Sequence, residues 1–276
     1  TPLLSVAAGS RISGSSITLD STASTTLDSA AVLRGSAYNL NSGQISILLD
    51  DSGDPIPGTG LVLSGVPLQN LLSANSLSLL SYSSIDVYGT GAIGQVGLSQ
   101  LSLSAGQIRG FNQGAGEARF VADNILLHNI ANVAAVPAAG TTSGAIEFKA
   151  ETIRLGANQI AINQYSNVVL NASDRIIGQG TGGLTVQADL RAITPLVTGT
   201  AGANRSLTAG GVLTLEGNGG SAGAIGGLGS TLNLTGASVD IGTRVALPSG
   251  LLNVRATTGD LTVSGRIDVS GSREVL

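Results

Sequence analysis

The sequence predicts an all-β chain, a parallel β-helix (β solenoid) of roughly 20-residue coils that runs as one continuous segment over residues 1–276. Three observations predict it. A short apolar pattern returns along the chain at a nearly regular interval. The composition can build a core only in thin aliphatic layers. The helical period is almost nowhere to be found.

The returning pattern reads apolar-x-apolar-x-small-x-x-apolar-x-apolar. It begins as Leu77-Ser-Leu79 with Ile85-Asp-Val87, then Leu101-Ser-Leu103-Ser-Ala105-Gly-Gln-Ile108. It continues as Ile146-Glu-Phe148-Lys-Ala150-Glu-Thr-Ile153-Arg-Leu155 and Val168-Val-Leu170-Asn-Ala172-Ser-Asp-Arg-Ile176. The last copies are Leu232-Asn-Leu234-Thr-Gly236-Ala-Ser-Val239-Asp-Ile241, Leu252-Asn-Val254-Arg-Ala256 and Leu261-Thr-Val263-Ser-Gly-Arg-Ile267-Asp-Val269. Each half alternates with the two-residue period of a strand that buries one face. Phe148, Leu170, Leu234, Val254 and Val263 are therefore predicted to point inward. The small residue between halves marks a bend, where a large inward side chain would collide with the core.

Copies start roughly 16 to 28 residues apart, too short for a βαβ unit, which needs about 30. At roughly 20 residues per coil, about 14 coils would stack to a rod on the order of 65 Å long. Three stretches interrupt the pattern and are expected to be loop excursions: Asp50 to Gly60, rich in Asp, Pro and Gly; Val136 to Gly144; and Gly217 to Gly229. The one helical candidate, Val66 to Ala74 with Leu68, Leu71 and Leu72, reads as a loop or short turn of helix in a coil insertion. No second domain or linker is apparent.

Charged residues make up 11% of the chain, aromatics 3%, and 40 residues are Gly. The hydrophobic fraction of 42% and net charge of −4 oppose the disorder signature of low hydrophobicity with high charge. There is no Cys, so no disulfide framework. Lys149 is the sole lysine and the sequence pI is about 4.9, which argues against nucleic acid and anionic membranes as partners. No run of about 18 apolar residues suggests membrane insertion.

The motifs that could carry chemistry are weak. Gly89-Thr-Gly91-Ala-Ile-Gly94 matches the dinucleotide fingerprint, but Gln95-Val-Gly97 after it does not open a helix. His128 is the only histidine. A Ser–His–Asp set would have to be built on it, with Asp123 nearby, and no nucleophile-elbow sequence is present. Asp50-Asp51-Ser-Gly-Asp54 lacks the distal Glu of a calcium loop. Asp240 and Asp260, one coil apart, could pair as carboxylates of a polysaccharide-cleaving enzyme, but are expected on a solvated face. Tyr38, Tyr82, Tyr88 and Tyr165 are too few for a sugar-stacking platform. The sequons at Asn171, Asn204 and Asn233 are at chance frequency for such a composition. The reading assigns no catalytic, cofactor or metal residue and expects no enzyme.

The copies from Ile146 to Gly271, above all Leu247-Pro-Ser-Gly-Leu-Leu-Asn-Val-Arg-Ala-Thr-Thr-Gly-Asp-Leu-Thr-Val-Ser-Gly-Arg-Ile-Asp-Val-Ser-Gly271, resemble the repeat region of filamentous-haemagglutinin-like exoproteins of Gram-negative bacteria. These are the secreted members of two-partner secretion systems. The Asn-Pro-Asn motifs of that family's secretion domain are absent, so the likeness is to a downstream region. The resemblance implies a right-handed parallel β-helix, export through an outer-membrane transporter, and an extracellular or cell-surface place in adhesion or fibres. Three functions follow as expectations: a structural shaft of an adhesin, a self-assembling filament subunit, or a polysaccharide lyase, hydrolase or tailspike-like glycan binder. Expected partners are further coils of the same precursor, other copies end to end, and surface glycans or proteins.

Overall fold

Leu77 and Leu79 lie in register with Leu101 and Leu103 one coil later, and these with Ile125 and Leu127 on the coil after that. All six side chains are buried. The computed structural model describes residues 3–50, 59–111, 113–138 and 140–271, and it repeats this arrangement through about 11 coils of roughly 23 residues. Only 3% of the chain is helical.

Each regular coil lays down three short strands, and each strand joins one of three parallel stacks. Face A holds Ser84–Tyr88, Gln107–Phe111, Asn158–Asn163, Thr181–Val186, Asn204–Ala209, Thr231–Gly236 and Leu251–Ala256 in succession. Face B holds Gly91–Gly94, Glu117–Val121, Asp189–Ile193, Leu213–Glu216, Val239–Ile241 and Leu261–Val263, and face C holds Ser76–Ser81, Gln100–Ser104, Asn124–His128, Leu196–Gly199 and Arg244–Ala246. Two long strands, Ala145–Leu155 and Asn167–Gly178, run through the corner between faces B and C. They join both stacks into one sheet. Their register shifts between Ala150 and Thr152. Ala150 and Ala172 are register partners at that corner and both are buried. A larger inward side chain there would meet the core from two sides, which is why the pattern carries a small residue at its centre.

The interior is one hydrophobic cluster from Val6 to Leu247, made mainly of Leu, Ile, Val and Ala with four aromatic residues, Tyr38, Phe120, Phe148 and Tyr165. Phe120 and Phe148, register partners, stack inside it with ring centroids 5.4 Å apart. Phe148, Leu170 and Leu234 are buried as the alternation requires. Val254 is only partly buried, and Val263 is 49% exposed. Val263 keeps its register with the buried Ile241. Its exposure comes from lying on the last described coil, where no further rung covers the core.

The coils are longer and fewer than the roughly 20 residues and 14 coils read from the pattern, so the stack is nearer to 50 Å. The difference lies in the coils themselves, since register partners on coils without an excursion are 22 to 24 residues apart, as Ile146 and Val168, Ile85 and Ile108, and Leu77 and Leu101 are. Of the stretch 50–60, residues 51–58 lie outside the described residues. After it, Leu61–Leu63 pairs with Ile45–Leu48 and packs beside Ser24–Leu27, adding a rung to face A. The helix Gly65–Leu71 follows, burying Pro67, Leu68 and Leu71. It packs against Val32–Arg34, a strand paired with Arg11–Ser13 in a separate two-stranded sheet, where Asn70 Oδ1 accepts the Leu33 N–H at 3.0 Å. A side-chain amide thus replaces the strand bond that the helix cannot supply.

The second excursion starts earlier than expected, at Ile130, and has no strand before Ala145 among the described residues. Asn129 pins its base: Nδ2 donates to Val133 O at 2.8 Å and Gln159 O at 2.7 Å, and Oδ1 accepts from Val133 N at 3.0 Å. Face A skips this coil, and Ile108 pairs directly with Ile162. The third excursion, 217–229, makes face C skip a coil, since Leu196–Gly199 pairs directly with Arg244–Ala246. It lies as a strap over its neighbours. Asn218 Nδ2 donates to Ala172 O at 3.1 Å, Gly227 N to Gly199 O at 2.9 Å, and Gly229 N to Pro248 O at 2.9 Å.

Candidate functional site

Chemistry on a solenoid must come from side chains on its outer faces, because strand N–H and C=O groups are spent along the axis on neighbouring coils.

His128 ends the strand Asn124–His128 on face C, with its ring outward. Its Nε2 lies 3.0 Å from Ser102 Oγ on the preceding coil. Burial holds its pKa below the ordinary histidine value. Asp123 lies five residues back along an extended strand, about 16 Å away. It does not reach the ring, and no carboxylate bonds the other ring nitrogen among the described residues. The local backbone N–H groups belong to the ladder with neighbouring coils, so none is free to form an oxyanion hole. A serine–histidine contact is present and a triad is not.

The glycine motif serves packing. Gly91–Gly94 is a strand, not a loop opening a helix. Gly94 has φ +77°, and a Cβ there would fall 2.1 Å from Val121 O. The backbones of two coils touch at this corner, and only glycine permits it. Thr90 donates from N and Oγ1 to Asp50 Oδ2 at 2.7 and 3.1 Å, which gives Asp50 a structural task. Asp51 to Asp54 of the calcium candidate lie outside the described residues. No group of three potential metal ligands occurs among the described residues.

Asp240 and Asp260 are not register partners. Asp240 pairs with Thr262, because the advance from Val239 to Leu261 is 22 residues, two more than a 20-residue coil would give. Both carboxylates are exposed. The carboxylates that do converge are Glu117 and Glu147 on face B, and Arg119 sits between them, bonded to both. Their charges raise the pKa of Arg119. Asn171 Nδ2 also donates to Glu147 Oε1 at 2.9 Å. Arg191 and Glu216 form a second pair further along the face.

Two charged features were not singled out in the sequence. On face A, Asp86 is 1% exposed and is gripped bidentately by Arg109 on the next coil, at 2.8 and 2.6 Å. Gln44 Nε2 adds a bond to Asp86 Oδ2 at 2.6 Å. The bond to Asp86 raises the pKa of Arg109. The signal was the 23-residue spacing, which equals one coil. Beside this pair Tyr88 and Phe111 stack at 4.8 Å, with the Arg109 guanidinium 5.3 Å from the Phe111 ring centre. Each ring thus has one face covered by the other, and the Phe111 ring also meets Arg109. The second feature is Arg205, 1% exposed in the interior, with its pKa pulled down to about 10 by burial. Nothing in its local sequence marks it except its phase with Leu207 and Ala209.

The outer faces thus carry paired charges, short polar ladders and shallow corners. Among the described residues they carry no nucleophile–base–acid set. No helix among them is long and apolar enough to cross a membrane. No family model, no curated protein and no solved structure matches the chain.

Proposed function

We propose that this chain is a shaft segment of a secreted bacterial surface adhesin or extracellular fibre, whose function is reach. The observation that carries this reading is the continuous aliphatic core through about 11 coils. It lies beneath outer faces of low charge density, since charged residues make up only 11% of the chain. A stack of this kind gains stability coil by coil, so length can be extended without redesigning the core. The resemblance of residues 146–271 to filamentous-haemagglutinin-like repeats supplies the setting: two-partner secretion through an outer-membrane transporter to a Gram-negative cell surface. Negative-stain electron microscopy of the purified chain tests the shaft. The expected result is a stiff rod on the order of 50 Å long. Flexible or spherical particles would overturn it. Incubation with neutral and anionic polysaccharides tests the rival enzymatic reading, and shortened or unsaturated products would replace the shaft by a lyase or hydrolase.

A filament subunit is the second reading, favoured by one observation. On the last described coil Leu261, Val263, Ile267 and Val269 stand 38–49% exposed. Apolar rims and open strand edges template further pairing. Light scattering over a concentration series separates the readings. Growth of particles along the rod axis supports self-assembly, and a constant mass leaves the shaft alone.

A further inference from the structure

The strap 217–229 carries the only Asn-Gly dipeptide of the chain, Asn218-Gly219. Both residues are exposed, as are Gly217 and Gly220 on either side. Gly219 takes φ +74°, and a Cβ there would meet nothing within 4 Å. Its N–H makes no hydrogen bond among the described residues. The nitrogen that follows Asn218 is thus unshielded, unclaimed by any ladder, and free to swing as a glycine backbone allows.

The Asn218 side chain is held beside it. Its Oδ1 accepts the Gly220 N–H at 2.9 Å, which draws electron density away from Cγ. Its Nδ2 donates to Ala172 O at 3.1 Å, the first tie of the strap. Asn171, Asn204, Asn233 and Asn253 differ, because each lies within a strand whose N–H groups are spent on neighbouring coils. Asn253 is exposed as well, but the branched side chain of Val254 stands on the nitrogen that follows it.

We propose that Asn218 is a modification site at which the strap deamidates without an enzyme. The Gly219 nitrogen gives up its proton and attacks Asn218 Cγ. The N–Cγ bond forms, the Cγ–Nδ2 bond breaks, and ammonia leaves carrying that proton. The product is a cyclic imide. Water, the only co-reactant, then adds across one of the two imide C–N bonds. Opening at Cγ gives aspartate. Opening at the main-chain carbonyl gives isoaspartate, with the backbone rerouted through Cβ and Cγ. Nothing is oxidised or reduced.

Both products lose the bond to Ala172 O, since neither keeps Nδ2 and a carboxylate has no proton to give. The new charge also arises on an arm that already packs on one: Gly223 sits so close to the Asp174 carboxylate that a Cβ would overlap it. The later ties survive, from Arg175 Nη1 to Ala224 O at 2.6 Å and from Gly226 N to Thr198 Oγ1 at 2.9 Å. The arm 217–223 therefore comes loose while the rest of the strap stays down. The strap loosens with age and needs no ligand to do so.

The test is independent of the shaft reading. The full chain is incubated in warm, mildly alkaline buffer made with heavy-oxygen water and mapped by peptide mass spectrometry. The expected result is uptake of heavy oxygen at Asn218, as aspartate and isoaspartate, well ahead of Asn253. Gly219→Ala should slow the conversion about tenfold, because a Cβ crowds the nitrogen and confines its backbone. Asn218→Asp, an exposed replacement that does not threaten folding, should speed amide exchange over 217–223 and leave that of Gly226 and Gly227 unchanged. An Asn218 that outlasts Asn253 would overturn the proposal. Conversion as fast in Gly219→Ala would do the same. Unchanged exchange over 217–223 in Asn218→Asp would overturn the loosening of the arm.

Discussion

Arg205 and Gly182 are register partners on adjacent coils, and the glycine's missing side chain leaves the room in which the guanidinium sits. A Cβ on Gly182 would fall 2.6 Å from Arg205 Nη1. The guanidinium donates to Asn158 O at 3.3 Å, while Nε and Nη2 find no protein partner. A buried cation without a carboxylate costs stability. Arg205→Met is therefore expected to raise stability by about 1–3 kcal/mol. Gly182→Ala should lower it by a similar amount, since φ there is +142° as well as crowded. Urea unfolding of the two variants checks the opposite signs. Loss of stability in Arg205→Met would show that the guanidinium is satisfied after all.

Leu234 and Thr235 are neighbours on one strand that face opposite ways. Leu234 is 1% exposed inside the stack, and Thr235 lies opposite Thr208 and Arg255 on the outside. Leu234→Asp should cost several kcal/mol, because it buries an unpaired carboxylate between coils. Thr235→Asp should change stability by no more than about 0.5 kcal/mol. Thermal unfolding of both variants decides, and equal losses would mean that the register is wrong.

Asp86 depends on Arg109. Replacing Arg109 by Ala strands a buried carboxylate and should destabilise the chain by about 3–5 kcal/mol. Adding Asp86→Ser to that variant should recover much of the loss, because the orphan charge is then gone. A double variant no more stable than Arg109→Ala would show that the pair's value lies in packing.

His128 offers a clean titration because it is the only histidine. Burial depresses its folded-state pKa. The unfolded chain therefore takes up its proton first as pH falls. The stability this residue contributes is present above the unfolded value of about 6.5 and is lost as pH drops through the lower folded value. Its ring proton shifts should titrate below 6.5 in the folded chain. A midpoint above that would contradict the burial. Fluorophosphonate should leave Ser102 unlabelled, since the dyad lacks a third partner, and stoichiometric labelling would reopen a hydrolytic role.

Alternation made the core legible: every leucine and isoleucine from Leu77 to Ile108 that the pattern placed inward is inward. The corners were legible too, through Ala150 and Ala172. Coil number was not, because even coils without an excursion advance 22 to 24 residues between register partners, as from Ile146 to Val168 and from Leu77 to Leu101. The same blind spot paired Asp240 with Asp260, where a 22-residue advance brings Thr262. Arg205 was missed because an arginine in an alternating strand reads as an outer residue, and only the glycine across from it shows otherwise. Val263 follows the pattern faithfully yet stays exposed. Alternation says which way a side chain points, and burial also needs a neighbour above it.

The strap 217–229 has a mechanical consequence. Ties that run from Asn218 to Ala172, from Gly227 to Gly199 and from Gly229 to Pro248 bind the strap to coils on both sides of it, beside the direct pairing of Leu196–Gly199 with Arg244–Ala246 past it. Under a pulling force applied at the far end, the coil after Pro248 can peel away alone. The coils beneath it are lashed together, so tension reaching them must break those ties before any one coil can unwind. Force–extension traces should then show a single tall rip whose released length corresponds to several coils, preceded by small, even steps.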